Sequence, residues 1–364
     1  VKAIMAGPNA DLPVILGTPQ FKIIKDGTTE FQVANGTGPY RMTEFKPGVR
    51  SISKRFEGYW REGGHVDEIE IFAITDKVAR LSALLSGDID LMQALDPKAI
   101  KKIESTAGVG VWSVASGAYF GINAMTSTSP GNNPDFVRAL QYIQRRKKIV
   151  KSILKGQGTV GNDHPINVAY GADYCKELPQ REHDLDKAKF YLKKSGITAA
   201  EVNVAEVAPG MTDIVLLAQR EAQKIGLDLQ IKKVPNDGYW GAVWMKTPVN
   251  VVIWNMRPTA NIMMTLAFAP DAPWNDSFWK SKKIGKLLVE SRSVKDPVKR
   301  HEMYCDMQRM ISVGTDDAPP SGMVIPAHRN YVDAKSDKIE GIGRMPLGNF
   351  GGYEWPEFAW RTDV

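Results

Sequence analysis

The chain has 364 residues and a net charge of +6, and its 43% hydrophobic and 24% charged residues are ordinary for a globular protein. That length favours two lobes, each able to bury a core, and no apolar run is long enough to cross a bilayer. Lys and Arg are spread along the chain, which argues against nucleic-acid binding. The densest run, Arg145-Arg146-Lys147-Lys148, lies inside a helical pattern and reads as a solvated helix face. At the start, Val1-Lys2-Ala3-Ile4-Met5 lacks the pattern of a secretory signal and reads as the continuation of something longer. Asn35-Gly36-Thr37-Gly38-Pro39-Tyr40 is a tight turn, without the glycine spacing or the following helix of a phosphate loop.

Arg50 to Phe56 and Glu68 to Ile74 alternate as strands do, the second as a half-buried one. Asp76 caps a helix from Lys77 to Leu85 that Gly87 stops, and Ile89 to Met92 is a short strand. Trp112 to Ile122 is strand-like. Asn133 caps a helix running to about Leu154, and another spans Asp186 to Lys194. From Val202 to Val251 the order is strand, amphipathic helix (Asp213 to Ile225), strand (Leu227 to Val234), short aromatic helix (Gly238 to Lys246) and strand, which favours an α/β lobe around a central sheet. Val249 to Ile253 is β-branched apart from Asn250 and reads as a buried strand, ended by Pro258. Helices follow at Lys282 to Arg292 and at Pro297 to Ile311, the latter capped by Asp296. Asp317-Ala318-Pro319-Pro320 reads as an exposed turn, and Met323 to Ile325 and Tyr331 to Ala334 as strands.

The reactive residues are sparse. Cys175 and Cys305 fit either one disulfide or two buried thiols. The five histidines show no local ligand spacing with one another or with cysteine, so no metal site is expected. No Gly-x-Ser-x-Gly elbow is present. Asp88 and Asp90 alternate along a strand and share one face, where an acid/base pair is conceivable.

Leu84-Leu85-Ser86-Gly87-Asp88-Ile89-Asp90, with Gly36-Thr37-Gly38-Pro39-Tyr40 and Tyr59-Trp60, resembles the family 5 extracellular solute-binding proteins, the peptide, nickel and opine receptors of ABC importers. The likeness continues in the family's order through Asn133 to Leu140, Gly161-Asn162-Asp163-His164-Pro165-Ile166, Asp184 to Gly196, Trp274-Asn275-Asp276 and Asp296 to Gln308. It implies an α/β, periplasmic-binding-protein-like type II fold: two lobes with a hinge, the first incomplete because the family's leading segment before Val1 is missing. Residues 1–118 would be a partial lobe I, 119–330 lobe II, and 331–364 the return to lobe I with a tail. The implied function is capture of a peptide-like or related small solute between the lobes and delivery to a membrane permease. The protein would be a monomer in the periplasm or on the outer face of the cytoplasmic membrane, without cofactor or catalysis. A nickel or metal-chelate carrier using His164 or His328 is the alternative, and a hydrolase a more distant one.

The resemblance also places the site. Trp254 aligns with the family's pocket tryptophan, and the end of its strand delivers Asn255 and Arg257 onto a loop where a ligand can be stacked on, hydrogen-bonded and charge-paired. Peptide-binding relatives carry an aspartate shortly after that tryptophan; here the position holds Arg257, and the next acid-like position is the amide Asn261. Tyr119, Phe120, Trp274 and Asn275 complete the candidate ligand-binding set, whereas Trp240 and Trp244 read as core. Burial of Trp254 with Arg257 on a solvent face is the competing reading.

Overall fold

The computed structural model describes residues 4–5, 7–18, 21–31, 36–315 and 318–363. Val1 to Ala3, Asn35 and Asp317, each part of a sequence expectation above, lie outside these. Two compact units form, one from Val1–Ile15 with Ala115–Asn330 and the other from Leu16–Val114 with Tyr331–Val364.

The first unit is built on a six-stranded mixed sheet: β1 (Tyr119–Ala124), β2 (Gly158–Val160), β3 (Ala199–Val204), β4 (Asp228–Lys233), β5 (Val249–Trp254) and β6 (Met323–Arg329), in the order β2-β6-β1-β5-β3-β4. The β5–β3 and β3–β4 pairs are parallel, and β1 lies antiparallel between β5 and β6. Alternate residues of a strand face opposite sides, and the sheet therefore separates two cores. Phe120, Ile122, Val249, Val251 and Val324 face one, while Tyr119, Val252, Trp254, Met323 and Ile325 face the other. A β-branched run with no alternation in polarity is what burial on both faces requires.

Helices α1 (Pro134–Tyr142), α2 (Leu185–Ser195), α3 (Met211–Lys224), α4 (Ala260–Phe268), α5 (Lys282–Glu290) and α6 (Pro297–Val313) cover the sheet and extend the cores. Their starts follow from side-chain caps. Asn133, Asp184, Thr259, Ser281 and Asp296 each accept a hydrogen bond from a first-turn N–H, satisfying donors that a helix leaves open.

The helix expected to run on to Leu154 instead breaks after Tyr142, resumes at Arg146–Lys148 and passes into a π-helical turn at Ile149–Ile153. At the break lies Arg146, which is 4% exposed rather than on a solvated face. Its Nη2 donates to Asp163 Oδ2 at 2.7 Å and its Nη1 to the Gln141 carbonyl at 3.0 Å. Arg181 pairs with the same carboxylate oxygen, and Asp163 Oδ1 accepts from the Ile325 N–H at 3.0 Å. The segment Gly161 to Ile166 is thereby pinned inside the unit. Ala318, expected on an exposed turn, is also buried.

The second unit holds an antiparallel meander (Tyr40–Lys46, Arg50–Arg55, Glu68–Phe72) and a sheet in which Tyr331–Ser336 lies between Leu91–Met92 and Val109–Val114. The stretch from Trp112 to Ile122 is thus two strands, broken at Ala115 to Ala118. Asp76 caps Lys77–Ser86, and Gly87, at φ 82°, closes it in the left-handed conformation that glycine adopts without penalty. In the outer meander strand only Ile69 is buried, while Ile71 and Phe72 are exposed. Asp88 and Asp90 precede the short strand in a turn, where Asp88 accepts from Ser86 Oγ at 2.7 Å and Asp90 pairs with Arg361 at 3.2 Å. Those partners give them a structural role.

Candidate ligand-binding site at the end of the central strand

The last residue of β5, Trp254, pairs in register with Tyr119 of β1, and Tyr119 in turn with His328 of β6. Opposed residues point to the same face, so the three rings stand in a row, with Tyr119 and His328 edge to face at 5.9 Å. Trp254 is 4% exposed. Its indole N–H donates to Asp276 Oδ2 at 3.1 Å, and the Trp244 indole donates to the same oxygen at 3.0 Å. Asp276 has no solvent exposure, and its Oδ1 has no hydrogen-bond partner among the described residues. Burial raises its carboxyl to about 6 against the pull of the two indole N–H groups, which favour the charged form. The loop carrying Asp276 is stitched to the end of β1: Asn123 Nδ2 donates to the Asp276 carbonyl at 2.8 Å and the Thr126 N–H to that of Ser277 at 2.8 Å.

The indoles continue outward. Trp274 meets Trp254 at 6.1 Å and Trp244 at 6.3 Å, and Trp240 meets Trp244 at 5.8 Å, all edge to face. Trp240 and Trp274 are exposed and Trp244 is half-buried, so the expectation that Trp240 and Trp244 are both core does not hold. Trp240 cannot be core, because the preceding Tyr239 points inward and donates its hydroxyl to the Val251 carbonyl at 2.9 Å, turning the next side chain out.

Arg257 sits at the rim. Its guanidinium lies over the Trp254 ring at 5.6 Å, a cation–π arrangement, and its Nη1 donates to the Asn255 carbonyl at 3.2 Å. The Arg257 N–H donates to Tyr170 Oη at 3.2 Å, which fixes the loop. Tyr170 reaches that place only because Gly117 has no side chain: a Cβ there would stand 2.3 Å from the Tyr170 ring. Asn255 is exposed and accepts from Arg329 Nη2 at 3.2 Å.

The structure therefore brings together Trp254, Asn255, Arg257, Tyr119 and Trp274, with Trp254 and Tyr119 buried in the core as the competing reading expected of the tryptophan. It sets three of the expected residues to other work. Phe120 packs in the core on the opposite face of the sheet. Asn261 is buried, its Nδ2 donating to the Leu288 carbonyl at 2.8 Å and to Ser291 Oγ at 3.0 Å, which ties α4 to the end of α5. Asn275 is buried and holds its own loop through the carbonyls of Ala269 at 3.1 Å and Trp279 at 2.6 Å. Three participants were not singled out in the sequence as ligand-binding: Asp276, Trp244 and Tyr170. For Asp276 the signal was its place beside Trp274; for Tyr170 there was none. His164 and His328, the metal-chelate candidates, are buried and held down to about 3 and about 4 by desolvation.

Residues 1–275 match the family model described as bacterial extracellular solute-binding proteins, family 5 Middle. The nickel-binding protein NikA of Staphylococcus aureus is 22% identical over 87% of this chain and 64% of its own length. The dipeptide-binding protein of Escherichia coli K12 is 23% identical over 90% of this chain and 62% of its own. This chain spans 60–64% of the length of the first curated relatives it matches. Among solved structures, the ABC transporter-associated periplasmic binding protein DppA from Helicobacter pylori, in complex with the peptide STSA, superposes with a TM-score of 0.83 at 21% identity. That alignment covers 98% of this chain and 71% of the other.

Proposed function

This chain belongs to the family 5 bacterial extracellular solute-binding proteins and has their α/β, periplasmic-binding-protein-like type II fold, and on that footing we propose that it captures a small solute for the permease of an ABC importer. Its place is the periplasm or the outer face of the cytoplasmic membrane. It binds without transforming: the family consists of transport receptors, and the two carboxylates weighed for acid/base work, Asp88 and Asp90, each have a structural partner.

The observation that carries the substrate class is Arg257. Its guanidinium stacks over Trp254, and among the described residues no carboxylate pairs with it. Such a fork offers donors to carboxylate, phosphate or polyol oxygens and repels an ammonium group. The ligand is therefore a peptide-like or opine-like compound, or a sugar conjugate, that presents acceptor oxygens here rather than a free amino terminus. Exposed Trp274 supplies the aromatic surface beside it, backed by the buried Trp254.

Calorimetric titration with matched ligands tests this reading. N-acylated amino acids or opines are expected to bind better than unmodified dipeptides, and Arg257→Ala to weaken them about 10- to 100-fold, the worth of a charge-assisted hydrogen bond. Tight binding of unmodified dipeptides, unchanged in Arg257→Ala and lost on N-acetylation, contradicts it.

A further inference from the structure

Far along the chain from the tryptophans, Cys175 and Cys305 are joined in a disulfide, 130 residues apart in sequence. Around the two sulfurs stand two more ligand-type side chains. Glu177 Oε2 lies 3.7 Å from Cys175 Sγ and 3.6 Å from Cys305 Sγ, and His301 Nε2 lies 3.5 Å from Cys305 Sγ and 3.2 Å from Glu177 Oε2. Zinc bonds of about 2.3 Å to sulfur and about 2.0 Å to nitrogen or oxygen place the ligand atoms of a tetrahedron roughly 3.3–3.8 Å apart. Those four separations match four of the six edges, and the sulfur–sulfur edge, 2.09 Å while the two are bonded, has to open on reduction to reach its length. We propose that Cys175, Glu177, His301 and Cys305 form a tetrahedral site for a zinc-class divalent ion once the disulfide is reduced.

The surroundings favour it. His301 and Cys305 are four apart on α6 and share one face, a ligand spacing that the sequence reading passed over. His301 Nδ1 lies 2.7 Å from the Ala172 carbonyl. A proton on Nδ1 donated to that oxygen turns the Nε2 lone pair toward the sulfurs, the outer-shell arrangement that orients metal-ligating histidines. The loop bearing Cys175 is also held to α6 independently of the disulfide: Gln308 Oε1 accepts from the Cys175 N–H at 3.0 Å, and Gln308 Nε2 donates to the Asp173 carbonyl at 2.8 Å. Opening the bond therefore leaves the ligands gathered. Both cysteines are buried, while Glu177 is exposed and marks the side from which an ion enters.

The chemistry balances with an external dithiol. It gives two electrons and two protons to the sulfur–sulfur bond, yielding two thiols, and departs as a disulfide. Metal binding then releases both thiol protons, and the Nε2 proton of His301 where it carries one, leaving two thiolates and one carboxylate against the divalent charge.

The test uses the folded chain with and without a phosphine reductant, with opening of the bond verified by thiol alkylation and mass. Zinc is measured by competition with a chromophoric chelator, and cobalt by its thiolate charge-transfer absorption. One equivalent of zinc in the reduced chain and none in the oxidised chain is expected. In the reduced chain, His301→Gln and Glu177→Ala, both partly exposed positions, are expected to lose more than the roughly 10- to 100-fold that outer-shell changes cost. Absence of zinc uptake by the reduced chain, a bond that does not open in the folded protein, or affinities unchanged in both variants would overturn the assignment.

Discussion

Asp163 and Asp276 both lie in the first unit without solvent exposure, yet their surroundings are opposite. Asp163 faces two guanidinium groups, Arg146 and Arg181, and a backbone N–H. Asp276 faces two indole N–H groups on one oxygen, and the other has no hydrogen-bond partner among the described residues. A buried charge is tolerable when a countercharge and hydrogen bonds replace the lost water. Asp163 meets both conditions and serves as a knot that fixes a loop. Asp276 meets only part of one, which is the condition under which a carboxyl hovers between charged and neutral. Incomplete compensation is a property that Asp276 has and Asp163 lacks, and it sits in the cluster proposed above as the binding site.

The largest test of this contrast removes the knot. Asp163→Ala leaves Arg146 buried with its countercharge gone and is expected to destabilise the chain by about 3–5 kcal/mol, read from urea unfolding. A variant of near wild-type stability would break the comparison on that side.

On the other side the prediction is one of pH. The Asp276 carboxyl titrates near 3.8 in the unfolded chain and at about 6 in the folded one, so within that window the folded state holds more proton. Its contribution to stability therefore declines as pH rises through the window, by about 1.4 kcal/mol for each unit. His164 and His328 act with the opposite slope, because their folded values of about 3 and about 4 lie below the unfolded 6.5 and stability falls as pH drops beneath it. Asp276→Asn separates the two. Its stability relative to wild type should grow from pH 4 to pH 6 and then level off, and a flat difference across that range would remove Asp276 from the argument.

Trp254→Phe keeps a ring in place and deletes one of the indole N–H groups on Asp276. A loss of about 0.5–1.5 kcal/mol is expected, together with a further rise of the carboxyl, followed by its carbon resonance in a pH titration. Arg257→Ala is the smallest change: within about 0.5 kcal/mol in stability, despite the effect on ligand affinity proposed for it, since the guanidinium pairs with no carboxylate among the described residues. A large fall in melting temperature there would make Arg257 a structural residue.

Sequence reasoning reached the features that local chemistry dictates. The strand at Val249, the caps at Asp76, Asn133 and Asp296, and the glycine stop at Gly87 depend on neighbours a few positions away. The positions of Trp254 and Arg257, at and just beyond the end of one strand, were legible for the same reason. What escaped were pairings made by the fold. Arg146 looks like one of four similar cations until Asp163 and Gln141 are brought to it. Asn261 and Asn275 looked like free amides because their acceptors are carbonyls, which sequence does not display. The cluster on Asp276 joins residues from separate loops, and only the sheet register that sets Trp254 beside Tyr119 makes their meeting intelligible.

The Cys175–Cys305 bond has a consequence for the chain when it is not folded. Its ends are 130 residues apart, and the ring it closes contains β3, β4 and β5 with α2 to α5. An unfolded chain tied in this way explores far fewer arrangements than an open one, an entropic handicap of about 5 kcal/mol in the loop-closure description. The denatured ensemble of the oxidised chain is also the more compact, with less surface for urea to contact, so unfolding of the reduced chain should show the steeper dependence on denaturant. Half of the strands of the central sheet are thus kept within reach of one another before any of them has formed.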